Sequence, residues 1–300
     1  MAIVDIIVPA FNAAKYLPFA LQSVLSQTFE DWRVLLVDDG STDNTEQVVA
    51  SFRDRFGSRI QYIRQENRGL PAARNTAIRA SSGEFLALLD ADDVWFPNRL
   101  EESLKILRAR PQAGLSYGGI TGIDSEGRIG DTFVGNQRYA EGNIAPYIYM
   151  RKVELPCPTM TFRRKCIEQV GLFDETMRAT EDRDLWLRIA LRYEVAFVPK
   201  VIAYYRVSAN SMSTDPERML LAQVQFIEKH YGATGCGWGA RRIALSRCYK
   251  QRADALSIRR QPLAALGSSL RSLAFYPFDV CTLRTAVSLL LRCVGVQRRN

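Results

Sequence analysis

Apolar residues along this chain follow two rhythms. In the first hundred positions, short β-branched runs alternate with stretches whose apolar residues recur every three or four positions. Ile3-Val4-Asp5-Ile6-Ile7-Val8, closed by Pro9, reads as a strand. Leu17, Ala20, Leu21, Val24 and Leu25 then share one face of a helix over residues 14–26. A second strand over 32–37 precedes a helix that Ser41 or Asp43 can cap and that runs to about Phe56. A third strand covers 60–64, and Pro71 stands near the start of the next helix. Gly83 ends that helix, and the unbroken apolar run 85–89 is a strand buried on both faces. This alternation predicts a parallel sheet with helices on both sides.

The second half is less regular. A strand is expected over 114–123, a polar, glycine-rich loop or lid over 124–145, a strand-like segment over 156–164, and strands over 195–199 and 203–207. From Pro216 the rhythm is helical, with segments 216–231, 239–258, 262–275 and 279–294 separated by Gly or Pro. In the last of these, Val280, Leu283, Val287, Leu290, Leu291 and Val294 make one apolar stripe, with Arg284, Ser288 and Arg292 elsewhere.

Charge divides the chain at a similar place. Residues 1–240 carry a net −2, whereas residues 241–300 hold 12 Arg/Lys against 2 Asp, a net of +10. The pattern is a near-neutral body with a basic helical appendage. Six cysteines without a C-x-x-C spacing, and a single histidine, argue against a zinc site and for reduced thiols in a cytosolic protein. No signal peptide and no membrane-length apolar run is evident.

The candidate chemistry sits where strands end. In a parallel sheet the C-terminal ends of the strands share one edge, where such sheets bind ligands. Strand one ends at Phe11, whose ring can stack on a nucleobase; strand two ends in Asp38-Asp39, able to accept a base N–H or a ribose hydroxyl; the strand at 85–89 runs into Asp90, Asp92 and Asp93. Asp90 and Asp92 are two apart and project to one side of an extended chain. Paired carboxylates suit a hard divalent cation, Mg²⁺ or Mn²⁺, shared with phosphates. Alone, each feature has an ordinary explanation: a core aromatic, a turn, a solvated acid. Their joint placement at matching strand ends does not.

Five stretches carry a resemblance: 7–12 (Ile-Val-Pro-Ala-Phe-Asn), 23–28, 37–45 (Val-Asp-Asp-Gly-Ser-Thr-Asp-Asn-Thr), 67–75 (Asn-Arg-Gly-Leu-Pro-Ala-Ala-Arg-Asn) and 89–93 (Leu-Asp-Ala-Asp-Asp). In order and spacing over about residues 3–100, and more weakly to about residue 213, the chain resembles family 2 glycosyltransferases. The resemblance implies a GT-A fold, Rossmann-like with a mostly parallel sheet, over residues 1–215, with a nucleotide-binding half at about 1–110 and an acceptor half at about 111–215. A basic helical extension would follow over 216–300. It implies that Pro9, Phe11, Asp39, Arg74 and Asp90 bind the donor, Phe11 by stacking where the family often has tyrosine, and that Asp92 holds the divalent cation. Thr180-Glu181-Asp182-Arg183-Asp184 resembles the family's Glu-Asp segment, which makes Asp182 the expected general base. Thr180 as helix cap, with acids in the first turn, is the local alternative for the same residues. Asp38, Glu181, Asp184 and Arg206 are secondary candidates. Tyr205-Arg206 resembles a closing motif that often has histidine where Ser208 stands.

The implied reaction is single, inverting transfer of a sugar from a nucleotide-sugar, a UDP-sugar foremost, to a hydroxyl acceptor. That acceptor would be a sugar, a lipid-linked sugar or a glycoconjugate in cell-surface polysaccharide or glycoconjugate synthesis. A nucleotidyltransferase and a non-catalytic nucleic-acid binder are the rival readings. The first would favour a glycine-rich basic loop after strand one, and the second an aromatic-basic alternation in the tail; neither is present, and no nucleic-acid partner is expected. The C-terminal helices either pack on the core or a second subunit, giving a homo-oligomer, or lie on an anionic membrane, placing a cytoplasmic enzyme at the inner face.

Overall fold

The computed structural model describes residues 3–130, 139–177, 179–207 and 215–293. The chain divides into two compact units: residues 1–144 with 153–208, and residues 145–152 with 209–300.

The first unit is built on one eight-stranded sheet. Its centre is β1 (Val4–Ala10), buried at all seven positions because both faces are covered. β1 pairs in parallel with β2 (Trp32–Asp38) and β4 (Phe85–Leu88), and β2 pairs in parallel with β3 (Ile60–Arg64). The strand order is β3-β2-β1-β4-β7-β6-β8-β5. Beyond β4 the sheet is mixed: β7 (Thr161–Arg163) is antiparallel to β4 and to β6 (Ala113–Ile123), β8 (Glu194–Arg206) is parallel to β6, and the two-residue β5 (Val94–Trp95) lies antiparallel to β8. The two strands expected over 195–199 and 203–207 are one. Pairing passes from Val198 opposite Gly118 to Val201 opposite Gly119, so Pro199 and Lys200 form a bulge that the sequence reads as a break.

Helices α1 (Leu17–Leu25), α2 (Thr45–Phe56), α3 (Leu70–Ala80) and α4 (Arg99–Ala109) complete this half. Leu17, Leu21 and Val24 of α1 and Leu100, Leu104 and Leu107 of α4 join Val4, Ile6, Val34 and Phe85 in one core. Each such side chain contributes roughly 1.5–3 kcal/mol when fully buried. The short α5 (Ala145–Tyr149) belongs to the second unit, while α6 (Arg164–Val170) and α7 (Glu181–Ala190) complete the first.

The second unit contains α8 (Pro216–Lys229), α9 (Trp238–Ile258), α10 (Pro262–Phe275) and α11 (Val280–Cys293). Asp215 caps α8 by accepting from the Glu217 and Arg218 amides. Tyr149 ties α5 to α8 by donating to the Ile227 carbonyl at 3.0 Å. His230, at the C-terminal end of α8, is buried against the Phe226 ring. Where α9 and α10 meet, the buried groups are small and polar, with Ser246 and Ser272 hydrogen-bonded to each other. Among the described residues, no helix is long and apolar enough to cross a membrane. Ser208, Ser211, Met212, Ser213 and Val294, like most of the middle of the expected lid, lie outside the described residues.

Candidate active site

Because β1, β2, β3 and β4 are parallel, their C-terminal ends share an edge, and a net of hydrogen bonds fixes the loops there. The Asp39 amide donates to the Ala10 carbonyl (2.8 Å), and the Leu89 amide to Ile7 (3.1 Å). Pro9 is buried within β1 opposite Val37, and Phe11 directly after the strand is 52% exposed, its ring available at the edge. Asn12 follows in the left-handed region (φ 49°), which brings its side chain onto the Thr42 amide (2.8 Å) while its own amide reaches Ser41 Oγ (2.9 Å). Neither Ser41 nor Asp43 caps α2 as its N-cap residue; that position is Asn44. Both instead bind the loop after β1, with Asp43 also accepting from the Thr45 amide (3.0 Å).

Asp38 and Asp39 have separate tasks. Asp38 is fully buried and accepts from the Ser41 amide (2.8 Å) and the Tyr62 hydroxyl (2.7 Å), which makes it part of the frame. Asp39 accepts from Gln65 Nε2 (2.6 Å) and from the amides of Arg68 (3.0 Å) and Gly69 (2.8 Å). It thus fixes the loop entering α3 and keeps about one of its roughly four acceptor positions. Gly40 permits this approach: its φ is +77°, and a Cβ there would stand 2.9 Å from the Asn67 nitrogen. Gln65, itself held by Thr76 (2.6 Å), was not foreseen. The signal was present, since Gln65 directly follows β3, the one parallel strand end given no candidate.

Arg74, on α3, joins two distant acids. Its Nη2 donates to Asp90 (2.7 Å) and its Nη1 to Glu181 (2.9 Å), and the side chain is 2% exposed. Nη2 also meets Cys157 Sγ (3.2 Å), and the guanidinium lies 5.4 Å from the Phe173 ring centroid. Nε is buried without a partner. Both terminal nitrogens of this buried arginine are engaged, and its neighbours are the two acidic segments themselves.

Those segments are built alike. In Asp90-Ala91-Asp92-Asp93, Asp90 pairs with Arg74, Asp93 is buried and accepts from the Arg206 amide (2.8 Å), and Asp92 receives no side-chain donor from the described residues. In Glu181-Asp182-Arg183-Asp184, Glu181 pairs with Arg74, and Asp184 is fully buried and paired with Arg188 (2.8 Å). Among the described residues, Asp182 takes only the adjacent Arg183 amide (2.6 Å). Arg188 in turn donates to the carbonyls of Val170, Gly171 and Leu172, so Asp184 anchors the turn before this segment. Thr180 occupies the cap position but in the left-handed region (φ 64°), and makes no side-chain cap bond. Arg206 closes the other acidic turn: Nε donates to the Asp92 carbonyl (2.9 Å), Nη1 to the Asp124 carbonyl (2.8 Å), and the guanidinium stacks 4.4 Å from the Tyr16 centroid.

Crowding is electrostatic as well as steric. Burial, and after it the charge of Asp90, pushes the Asp92 carboxyl up to about 6. Burial and then Asp92 raise Asp93 further, and its Oδ2 has no partner. Burial and then Asp182 raise Glu181, against the pull of Arg74. The buried Tyr205 phenol is raised by burial and then by Asp93, Asp90, Asp92 and Asp182 together, so both acidic segments converge on one place. Among the described residues no group of three or more His, Cys, Asp or Glu forms a ready-made metal cage. Asp90 and Asp92 could still supply two oxygen ligands, the number suited to a cation that takes its other ligands from phosphate and water.

The sequence profile of "Glycosyl transferase family 2" matches residues 5–171. The chain belongs to this family. The glucosyltransferase WfgD of Escherichia coli, described as UDP-Glc:alpha-D-GlcNAc-diphosphoundecaprenol beta-1,3-glucosyltransferase, is 30% identical over 224 residues, covering 74% of this chain and 83% of its own. The putative teichuronic acid biosynthesis glycosyltransferase TuaG of Bacillus subtilis is 28% identical, covering 71% and 82%. An uncharacterized glycosyltransferase of Rickettsia prowazekii is 30% identical over 210 residues, and the matched region spans 64% of its length. In fold, the chain resembles Staphylococcus aureus TarS 1–349 (TM-score 0.65, 20% identity, covering 99% of this chain and 93% of the other). It also resembles the Pyrobaculum calidifontis mannosyltransferase PcManGT in complex with GDP-Man and Mn²⁺ (TM-score 0.64, 22% identity, covering 98% and 87%). The fold is therefore that of GT-A glycosyltransferases.

Proposed function

We propose that this family 2 protein transfers a sugar from a nucleotide-sugar, a UDP-sugar foremost, to a hydroxyl acceptor with inversion at the anomeric carbon. The observation that carries the reading is the Arg74 bridge. By holding Asp90 and Glu181 at once, it gathers two acidic segments and leaves one acid of each, Asp92 and Asp182, open. On the same edge Phe11 offers an exposed ring for the base, and Asp39 an acceptor for its N–H. Asp90 and Asp92 are the residues to hold a divalent cation, which would neutralise the departing diphosphate. The fit rests on chemistry: two crowded carboxylates, one of them pushed up to about 6 by burial and its neighbour, are relieved by a cation. Asp182 takes the acceptor proton as the hydroxyl attacks from the face opposite the leaving group. Arg74 positions both segments. PcManGT's complex with Mn²⁺ and GDP-Man, and WfgD's diphosphoundecaprenol substrate, support a metal-assisted enzyme working on a lipid-linked or polysaccharide acceptor.

The test is a panel of nucleotide-sugars screened by thermal shift with and without Mn²⁺, followed by transfer to a diphosphate-lipid-linked sugar. A donor at a hundred times its Kd stabilises by about 2.7 kcal/mol. The reading predicts a metal-dependent shift for at least one UDP-sugar and release of free UDP on transfer. If no nucleotide-sugar shifts the transition at millimolar concentration, the reading fails.

A further inference from the structure

Four residues of the apolar stripe that the sequence places on α11 are left exposed. Thr282, Ala286 and Leu289 are the buried residues of this helix, and Leu289 packs with Ala265 of α10 and Leu256 of α9. Ala265 is small, so α11 and α10 can come close there, whereas Ser268 and Ser272 of α10 bond to Arg252 and Ser246 of α9. Val280, Leu283, Val287 and Leu290 are turned out, each 49–58% exposed, and Phe278 at the entrance to the helix is 80% exposed. Spaced at i, i+3, i+7 and i+10, they form one row along the helix. Arg284 borders it and is exposed. One acid, Asp279, precedes the helix, where it accepts from the Cys281 and Thr282 amides and so caps it.

We propose that this row docks on an anionic lipid surface. Three observations favour lipid over a second copy of the chain or a folded partner. The surrounding sequence, 241–300, carries a net +10, which would repel a second copy of the same face and attract a negative surface, at about 1 kcal/mol per basic residue near it. The row is aliphatic with one aromatic at its end, narrow and one helix wide, which suits insertion at the headgroup boundary. Among the described residues no helix is long and apolar enough to span, so this one would lie in the interface plane. The inference stands apart from the transfer reading, because vesicle binding needs neither donor nor acceptor.

The experiment is co-sedimentation of the 300-residue chain with vesicles of phosphatidylcholine alone or with 30% phosphatidylglycerol, at about 50 and 500 mM salt. Binding is expected only to the anionic vesicles and should fall at least tenfold at high salt. Leu283→Asp with Leu290→Asp should lower it at least tenfold with an unchanged thermal transition, since both side chains are exposed. Leu283→Trp keeps the row apolar and reports its location: its emission should shift to the blue on adding anionic vesicles. Three results would each overturn the inference. They are no binding to anionic vesicles at low salt, a Trp emission that stays fixed while protein sediments, and a dimer in sedimentation velocity that the double Asp variant dissociates.

Discussion

The two acidic segments of the site repeat one plan with different supports. Each has an acid spent on Arg74, an acid spent on the fold and an acid left open. In the α7 segment the fold's share is neutralised outright, because Asp184 has the Arg188 guanidinium at 2.8 Å and the helix start favours negative charge. In the β4 segment it is not. Asp93 has a backbone amide on one oxygen and nothing on the other, and Asp92 beside it is pushed up to about 6. In one segment the buried acid is neutralised by a protein cation; in the other, Asp92 and Asp93 crowd each other with no such ion pair among the described residues, a repulsion that a proton or an added cation would relieve. The difference fits a division of labour, with the unbalanced segment taking the metal and the balanced one the proton.

Exchanging each open acid for its amide tests that division most severely. Asp92→Asn and Asp182→Asn should both lower transfer by at least a hundredfold, the lower end of what general-base removal costs. They should differ in binding. Asp92→Asn should lose the Mn²⁺-dependent part of donor affinity, because a neutral amide is a poorer ligand for a hard cation. Asp182→Asn should keep it. Calorimetric titration of donor with and without Mn²⁺ reads the difference; the same binding loss in both variants would erase the division.

Arg74→Ala removes the element the two segments share. Breaking a buried pair leaves uncompensated charge and typically costs about 3–5 kcal/mol, so urea unfolding should show a loss in that range. Glu181→Gln removes the buried charge that Arg74→Ala leaves uncompensated, so combining the two should recover part of the stability. If the double variant is no more stable than Arg74→Ala, Glu181 is not the strained partner.

The strand-end acids were legible because a strand's last residues fix which edge its side chains reach, and a short motif preserves that order. Their partners were not. Arg74 reads as a helix residue, and nothing near it in sequence announces Glu181, 107 positions away. Nor does Asp5 in β1 announce the Arg33 side chain and the Ser82 and Gly83 amides that hold it at the opposite edge. The two-residue β5 escaped because a short strand has too few positions to show a period, and the strand-like segment expected over 156–164 is a strand only at β7. The C-terminal stripe was read correctly as apolar, but periodicity cannot say which face of a helix is covered. Here small Thr282 and Ala286 take the contact because they allow a closer approach.

A smaller effect is expected at Asp39, which lies apart from both segments. Asp39→Asn replaces an acceptor of three N–H groups with a weaker one, and should lower nucleotide affinity about tenfold while leaving the rate of the bound complex nearly unchanged. An interaction with the base is similar in ground and transition states, so it appears in KM and not in kcat. A fall in kcat with KM held would place Asp39 nearer the reacting bond than this reading allows.

The smallest effect on turnover should come from Asp184→Asn, and it is the variant that most sharpens the contrast within α7. Asp184 and Asp182 are two residues apart on the first turn; only the family resemblance favours Asp182, and spacing alone gives no reason to prefer one as base. The structure supplies one: Asp184 is fully buried with both Arg188 Nε (2.9 Å) and Nη2 (2.8 Å) on its Oδ2, so it is committed to the turn at Val170–Leu172. Asn keeps the shape and an acceptor oxygen but loses the charge, which for a charge-assisted bond costs about 1.5–3 kcal/mol. Transfer at 25 °C by the folded protein should stay within threefold of the parent, while the urea midpoint falls. The readout that separates the roles is the pair of values. A lowered midpoint with retained turnover marks Asp184 as the anchor, whereas a hundredfold loss of turnover with an unchanged midpoint would move the general base from Asp182 to Asp184 and undo the pairing of the two segments.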